Sequence, residues 1–231
     1  MLKELIPQTA RNHLRTAFDS VFCENFTDKE TLGNKNQWTI LKRTLGRGSI
    51  VYSGGVGGDI SFELALIERF GAVIHIFDPS PVAVPTIQRA LTSASMVPSH
   101  LFFKPVGLSG LDTSRFSVGG GNGSETWFKA GSEKGDLDIP CTSISQQMRG
   151  NGHKQIDLLK LDIEGFEYGV LDSCIEENVE IKQICVEFHH FYEGISYLKT
   201  ARSLAKLRKR GFKLIHKNRF DYTFCNASYL C

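Results

Sequence analysis

The sequence predicts an α/β protein built on a doubly wound, mostly parallel sheet with helices on both faces. From Ser49 onward, short apolar runs alternate with helical patterns, which is the order of strands and helices in βαβ units. The last two apolar runs, Phe212–His216 and Tyr222–Leu230, follow one another without a helix and indicate an antiparallel hairpin at the sheet edge. The length of 231 residues suits one such domain.

The first half of this pattern contains three strands and two helices. The strands are predicted at Ser49–Tyr52, Val73–Phe77 and His100–Val106, and the helices at Asp59–Phe70 and Pro81–Leu91. Asp59 or Ser61 can cap the first helix, and Gly71 stands just past its end. Pro81 suits the first turn of the second helix, because proline has the backbone angle that a helix start requires.

The second half begins after a segment rich in glycine and serine, Leu111–Pro140, which we interpret as an excursion from the core containing a small hairpin. Ser143 can cap a short helix that ends near Gly150. Further strands are predicted at Ile156–Leu161 and Ile181–Phe188, followed by helices that end near Leu171 and Arg210.

The N-terminal part has a different pattern. An apolar stripe predicts a helix over Thr9–Phe22, and the polar residues 27–37 predict a loop. We therefore divide the chain into residues 1–37, an N-terminal helix and loop that can serve as a lid, and a main domain of residues 38–231.

The amino-acid composition bears on which partners the protein has and in which compartment it resides. The 27 basic and 25 acidic residues give a net charge of +2, which provides no argument for nucleic acid. There is no run of about 18 apolar residues and no apolar leader, so we expect no membrane contact. The six scattered cysteines indicate free thiols in a reducing compartment, and we expect a cytoplasmic protein of undetermined oligomeric state.

The stretch VYSGGVGGDISFE, residues 51–63, places glycines at the end of the first parallel strand. Ligands of doubly wound sheets bind at this edge, and glycines allow a close backbone approach. The spacing is not G-x-G-x-x-G, because Ile60 stands where the third glycine counted from Gly55 would be. A pyrophosphate ligand is thus disfavoured, and a purely structural turn remains an alternative.

Asp78 ends the second strand of this pattern. A carboxylate at that place can accept hydrogen bonds from both hydroxyls of a ribose. The alternative is a local turn in which Asp78 bonds its own backbone ahead of Pro79.

Four stretches together resemble one family: VYSGGVGGDISFE, HIFDPSP, FFKPVGLSG and IDLLKLDIEGFEYGVL. They are similar to the FkbM family of S-adenosylmethionine-dependent methyltransferases, most specifically in the pattern K-x-D-x-E-G-x-E that begins at Lys160. The resemblance runs from about Trp38 to the closing hairpin. It implies a class I methyltransferase fold of seven strands, S-adenosylmethionine as cofactor, Asp78 on its ribose, and Gly55 and Gly57 beside its methionine part.

One position departs from the family pattern. Many relatives have an acid where this chain has Ser53, ahead of Gly54. We therefore hypothesise that Asp59, or Glu63 one helical turn further, binds the ammonium group of the cofactor, although Asp59 can equally be a helix cap. The cofactor set implied in this way is Ser53, Gly54, Gly55, Gly57, Asp59, Asp78 and Asp162.

Candidate catalytic residues follow two neighbouring strands. Asp162 and Glu164 end one strand, and Glu187 and His189 end the next. His189 is the candidate general base, because an imidazole can take a proton near neutral pH, and Glu187 can orient it. A helix-start acid for Glu164 and a structural role for His189 remain alternatives. The four residues could also hold a divalent cation, but their spacing requires no metal.

These observations predict an S-adenosylmethionine-dependent O-methyltransferase in which residues 38–231 form the methyltransferase domain. The acceptor we expect is a sugar or glycan hydroxyl, without nucleic acid. The alternatives are a small natural-product or phenolic hydroxyl, or a non-catalytic partner domain that binds the cofactor. A nicotinamide-dependent oxidoreductase is disfavoured by the missing third glycine and by the terminal hairpin.

Overall fold

The computed structural model describes residues 19–93, 98–110, 114–119, 126–129, 137–192 and 195–230. Its centre is a sheet of seven strands. In chain order these are β3 (Ile50–Gly54), β4 (Val73–Phe77), β5 (Leu101–Lys104), β10 (Ile156–Leu161), β11 (Ile181–Glu187), β12 (Phe212–Asn218) and β13 (Asp221–Asn226). Two strands in that list, Val73–Phe77 and Ile156–Leu161, have the bounds that the sequence predicts.

The strands lie side by side in the order β12-β13-β11-β10-β3-β4-β5. The pairs among β3, β4, β5, β10 and β11 are parallel, whereas β13 is antiparallel to both β11 and β12. The chain winds outward in one direction from β3 and in the other from β10, so the two halves meet between these strands. This is the predicted class I methyltransferase sheet, with its antiparallel C-terminal hairpin.

Helices cover both faces of the sheet. They are α1 (Ser61–Phe70), α2 (Ala83–Ser93), α3 (Ile144–Asn151), α4 (Glu167–Glu176) and α5 (Tyr197–Lys209). One core cluster joins α3, α4 and α5 to the sheet, and a second joins α1 and α2 to the opposite face. Two predicted caps are confirmed: Gly71 has a positive φ of 62° after α1, and the Ser143 hydroxyl accepts a hydrogen bond from Gln146 N ahead of α3. The N-cap predicted for α1 at Asp59 or Ser61 is wrong, because Ile60 holds that position and no side chain caps it.

The excursion between β5 and α3 forms a second sheet of four strands. These are β6 (Gly107–Leu108), β7 (Ser114–Gly119), β8 (Thr126–Lys129) and β9 (Leu137–Thr142), in the order β6-β9-β7-β8. β7 and β8 pair antiparallel as the predicted hairpin. Residues 111–113, 120–125 and 130–136 of the predicted excursion lie outside the described residues.

A short hairpin stands where the sequence predicts a loop, and that prediction is wrong for part of residues 27–37. Strand β1 (Lys29–Leu32) pairs antiparallel with β2 (Trp38–Leu41). Strand β2 is buried along its whole length and lies across the main sheet, where the Gln183 side chain accepts a hydrogen bond from Leu41 N and donates one to Leu41 O. These long-range bonds satisfy the outer side of β2, and no local pattern in the sequence indicates them.

The predicted N-terminal helix lies almost entirely outside the described residues, of which Ser20–Phe22 form a single 3₁₀ turn. Among the helices that the structure describes, none has the length and apolar character needed to span a bilayer.

Candidate active site

A cleft opens at the carboxyl ends of β3, β4 and β10, where the two halves of the sheet meet. Its walls come from the glycine loop after β3, the end of β4, the β6–β9 pair and the turn after β10. Its lining includes Gly55, Val56, Gly57, Phe77, Asp78, Leu108, Asp162, Ile163, Glu164 and Phe166. Crevices at this position of an open α/β sheet are the usual ligand sites of the architecture.

The glycines of the loop have two different reasons to be glycine. A Cβ on Gly55 would lie 1.7 Å from the carbonyl oxygen of Asp162, and one on Gly54 would lie 2.7 Å from Leu108 Cδ1. Gly57, with φ of 50°, faces open space, since no atom lies within 4 Å of its added Cβ. Gly55 is therefore required by the close approach of the Asp162 backbone after β10, and Gly54 by the packing of Leu108 from β6, whereas Gly57 leaves the cleft free.

Asp78 holds the loop in place. Its Oδ2 accepts hydrogen bonds from Val56 N and Gly57 N at 2.7 and 2.8 Å, and its Oδ1 accepts from Ser80 N at 2.8 Å. The turn onto its own backbone, which the sequence left as an alternative, is thus present. Three of the roughly four acceptor positions of a carboxylate are used, so one remains for a ligand in the cleft.

Asp59 lies outside the cleft. Its carboxylate accepts hydrogen bonds from the backbone of Lys35, Asn36 and Ser61, and so ties the β1–β2 loop to the start of α1. Burial alone would raise the pKa of Asp59, but these hydrogen bonds outweigh it and lower the pKa. Asp59 bonds Ser61 N at the first residue of α1, but Ile60 holds the N-cap position, so the predicted N-cap role of Asp59 is wrong. The geometry does not support the hypothesis that Asp59 binds the cofactor's ammonium group either.

Ser53 and Glu63 form a buried pair beneath the loop. The Ser53 hydroxyl donates to Glu63 Oε1 at 2.6 Å, and both side chains are buried. Burial raises the pKa of Glu63, and the nearby Lys160 ammonium partly opposes this. Ser53 therefore binds an acid on α1, and neither Ser53 nor Glu63 is among the residues that line the cleft. The arrangement does not support the hypothesis that Glu63 binds the cofactor's ammonium group.

Lys160 connects the glycine loop to the catalytic candidates. It belongs to β10 and is buried, and its ammonium donates to the carbonyl oxygen of Gly55 and lies 3.8 Å from Asp162 Oδ2. The lysine of the K-x-D-x-E-G-x-E pattern thus neutralises charge under the cleft floor and holds the loop against β10.

The predicted catalytic residues do come together. His189 Nε2 lies 3.7 Å from Asp162 Oδ1, 3.5 Å from Glu164 Oε2 and 3.9 Å from Glu187 Oε2. We call these four residues, together with Glu167, the acid–histidine cluster. Asp162 and Glu164 also line the cleft, so the cluster forms its inner end.

Glu167 supports the histidine from the other side. Its Oε2 lies 3.4 Å from His189 Nδ1, while its two oxygens accept hydrogen bonds from His189 N and Gly165 N, both at 2.9 Å. Desolvation alone would lower the pKa of His189, but Glu167 and the other carboxylates outweigh it and raise the pKa to about 9. An imidazole with this pKa is protonated near neutral pH, so the predicted role of His189 as a general base requires that its proton be displaced.

Carboxylates crowd the same region. Glu164 has a left-handed backbone, with φ of 55°, and accepts a hydrogen bond from the Tyr192 hydroxyl. Burial and the neighbouring Asp162 raise the pKa of Glu187 to about 8 and that of Asp221 to about 6. The cluster thus contains more acids than its cations can balance.

Sequence reasoning missed four members of the site: Lys160, Glu167, Tyr192 and Asp221. Lys160 and Glu167 stand inside the K-x-D-x-E-G-x-E pattern, so the pattern itself was a signal for both. Asp221 arrives from the C-terminal hairpin, where it pairs with Glu187 across β13 and β11, and only the antiparallel register brings it there.

Comparison with known proteins agrees with this architecture. The methyltransferase FkbM domain matches residues 57–214. Probable methyltransferase-like protein 24 of Homo sapiens is 27% identical over 178 residues, which cover 72% of this chain and 42% of that protein. The chain therefore spans less than half the length of this relative.

Solved methyltransferase structures are similar at low sequence identity. A putative rRNA methylase from Clostridium thermocellum is 11% identical with a TM-score of 0.45, over 78% of this chain and 87% of that one. A putative methyltransferase from Streptococcus mutans in complex with SAH is 10% identical with a TM-score of 0.45, over 78% and 88%. The family match covers more than half of the chain and includes both strand ends that carry the cluster, and the chain belongs to the methyltransferase FkbM domain family.

Proposed function

We propose that this chain is an S-adenosylmethionine-dependent O-methyltransferase that acts on a hydroxyl of a sugar or glycan. The observation that carries the proposal is the continuity of the cleft and the acid–histidine cluster, which share Asp162 and Glu164. A methyl donor in the cleft and an acceptor at the cluster would meet at these two side chains. Such alignment of donor and nucleophile is the main requirement of a displacement reaction.

The residues present fit the cofactor. Gly57 leaves the cleft open, and Asp78 keeps one acceptor position for a ribose hydroxyl. Leu108 and Phe166 supply apolar walls for an adenine ring. When bound, S-adenosylmethionine supplies an electrophilic methyl group on its sulfonium.

The chain's own task is to position the acceptor and to receive its proton. Glu187, a carboxylate of the cluster 3.9 Å from His189 Nε2, can take the proton. Asp162 suits the first task, because it lines the cleft with its Oδ2 facing Lys160 and its Oδ1 facing His189 Nε2. A carboxylate between two cationic groups can hold the acceptor hydroxyl by a hydrogen bond as the oxygen begins to attack. His189, oriented by Glu167, would then stabilise the negative charge that develops there.

A polar groove beside the cluster favours a sugar over a phenol. It lies between the two terminal hairpins and is lined by Thr31, Gln37, Trp38, Thr39, His216, Lys217, Asn218, Asp221 and Thr223. The groove reaches the cluster at Asp221, which pairs with Glu187. Hydroxyl, amide and charged groups can bind several sugar hydroxyls, whereas a phenol ring would require apolar walls.

The test is transfer of label from methyl-labelled S-adenosylmethionine to a panel of deoxysugar glycans and phenols, with and without added divalent cation. We expect labelled sugar ethers with the wild-type chain, none with Asp162→Asn, and wild-type yield with Asp172→Asn, a partly exposed α4 acid paired with Lys206. Transfer to phenols alone would support the natural-product alternative. Cofactor binding by calorimetry without transfer to any oxygen acceptor would leave a non-catalytic binding domain and refute the proposal.

A further inference from the structure

We infer that Asp162, Glu164 and His189 form a binding site for one divalent transition-metal cation such as Mn²⁺. The ligand atoms that these side chains offer all lie within 4.8 Å of one another. Two ligands at about 2.1 Å from one ion lie roughly 3 to 4.2 Å apart, depending on their angle at the metal. The distances of 3.5 and 3.7 Å from His189 Nε2 to the two carboxylates fall in that range.

The orientation of His189 is the second, independent observation. The side chain is only 2% exposed, and its Nε2 is the nitrogen that faces Asp162, Glu164 and Glu187, at 3.5 to 3.9 Å. Nδ1 faces Glu167 Oε2 at 3.4 Å, so Nε2 is directed into the group of carboxylates. Histidines that bind metals are commonly oriented by a carboxylate on the nitrogen that does not bind the ion.

Glu167 is built for this supporting role. It is fully buried, and the backbone N–H groups of Gly165 and His189 hold its carboxylate in place. Its own oxygens therefore point at the ring of His189 and away from the cleft. Glu167 therefore contacts one side of the His189 ring, and the proposed ion site lies on the other side, where it is open to the cleft.

The balance of charge points to a cation at the same place. Three carboxylates, those of Asp162, Glu164 and Glu187, lie within 3.9 Å of one imidazole nitrogen. Lys160 approaches one of them, at 3.8 Å from Asp162 Oδ2. A dication here would relieve the repulsion among the acids, and mixed carboxylate and imidazole ligands suit Mn²⁺ and its neighbours better than Ca²⁺, which prefers oxygen.

Binding of the ion stands on geometry alone, while its use in transfer rests on the proposed function. A dication bound by Asp162 and Glu164 at the inner end of the cleft would lower the pKa of an acceptor hydroxyl that binds to it. It would also take the place of the proton at His189 Nε2. The ion would thus make the acceptor hydroxyl a stronger acid, and the proton would pass to Glu187, the carboxylate beside His189 Nε2 that is not among the three ligands.

The experiment titrates metal-stripped protein with Mn²⁺ and measures free Mn²⁺ by electron paramagnetic resonance. We expect one saturable site per chain. Binding should weaken at least tenfold in Asp162→Asn and in Glu164→Gln, and remain unchanged in Asp172→Asn. The supporting role predicts a 10–100-fold loss of affinity in Glu167→Gln, with the fold of each variant checked by circular dichroism.

Absence of saturable binding, or equal affinity in Asp162→Asn, Glu164→Gln and wild type, would overturn the inference. This outcome differs from failure of the proposed function. A chain that binds Mn²⁺ at this site but transfers no methyl group refutes the function and leaves the metal site standing. A chain that transfers methyl groups equally well in the presence of a chelator and shows no Mn²⁺ binding refutes the metal site and leaves the proposed function standing.

Discussion

Gly55 and Gly57 stand two residues apart in one loop, yet replacing each by alanine should have different effects. Gly55→Ala would place a Cβ 1.7 Å from the carbonyl oxygen of Asp162, at a φ of 73°. Since an ordinary contact is above 3 Å, β3 and the turn after β10 would have to separate by more than an ångström. Backbone strain and overpacking of this kind together cost about 3–5 kcal/mol.

Gly57→Ala is the matched control. Its φ of 50° also disfavours a side chain, but its Cβ meets no atom within 4 Å. The expected destabilisation is then only that of placing alanine in a left-handed backbone conformation, about 1 kcal/mol. In a chain of this length each kcal/mol lowers Tm by about 2–4 °C, so we expect a fall of roughly 6–20 °C for Gly55→Ala and 2–4 °C for Gly57→Ala.

The assay is thermal unfolding followed by circular dichroism, with cofactor affinity measured by calorimetry in parallel. In Gly57→Ala the loss of cofactor-binding free energy should exceed the loss of unfolding free energy, because the added methyl group enters the cleft that Gly57 lines. Equal Tm values for the two variants would refute the assignment of Gly55 to packing. Unchanged cofactor affinity in Gly57→Ala would refute the assignment of Gly57 to the ligand.

Three further predictions concern residues away from the cluster. Asp59→Asn should lower stability by about 1 kcal/mol, because it weakens the hydrogen bonds from the β1–β2 loop and from Ser61 N, and should leave cofactor affinity unchanged; calorimetry that shows weaker binding would restore the ammonium hypothesis. Burial lowers the pKa of His75 to about 4 from 6.5, so wild-type stability should decrease as pH falls from 6.5 towards 4. In denaturant unfolding, His75→Phe should lose less unfolding free energy than the wild type over that pH range. A pH profile identical to that of the wild type would contradict the lowered pKa of His75. Gln183→Leu should cost about 2–3 kcal/mol, because Leu41 N and O would lose their buried partners; a cost below 0.5 kcal/mol in urea unfolding would show that β2 does not depend on this residue.

Much of the fold could be predicted because its signals are local. Val73–Phe77 and Ile156–Leu161 are runs of apolar residues long enough for one buried strand, and both were predicted to the residue. Strand β3 was predicted too short, since it continues through Ser53 and Gly54, whose composition resembles a turn. Pairing with Lys160 and Leu161 on β10 keeps these two residues in the sheet.

Strand β1 could not be predicted for a related reason. Lys29–Leu32 has no apolar alternation, and its Thr31 hydroxyl pairs with that of Thr39 at 2.8 Å on the neighbouring strand. That neighbour is in turn anchored on Gln183, more than 140 positions away. A strand stabilised by partners this distant in the chain has no signature of its own.

The candidate site divides in the same way. The strand ends that carry Asp162, Glu164, Glu187 and His189 could be identified from sequence, because parallel strands place their carboxyl ends at one edge. Which acid faces the cleft and which faces the core was not predictable. Asp59 and Glu63 are close in sequence to the loop, yet one binds the β1–β2 loop and the other lies beneath β3.

The sequence by itself therefore determined the order of the strands and helices of the main sheet, the family, and the edge of the sheet at which chemistry would occur. These follow from local periodicity and from one short pattern of residues. Both signals can be recognised without knowing which elements pack against each other. The tertiary structure alone decided the state of the cluster. Burial, the approach of Glu167 to His189, and the arrival of Asp221 from an antiparallel strand set its charge, because electrostatic interactions depend on distance in space and on exclusion of water.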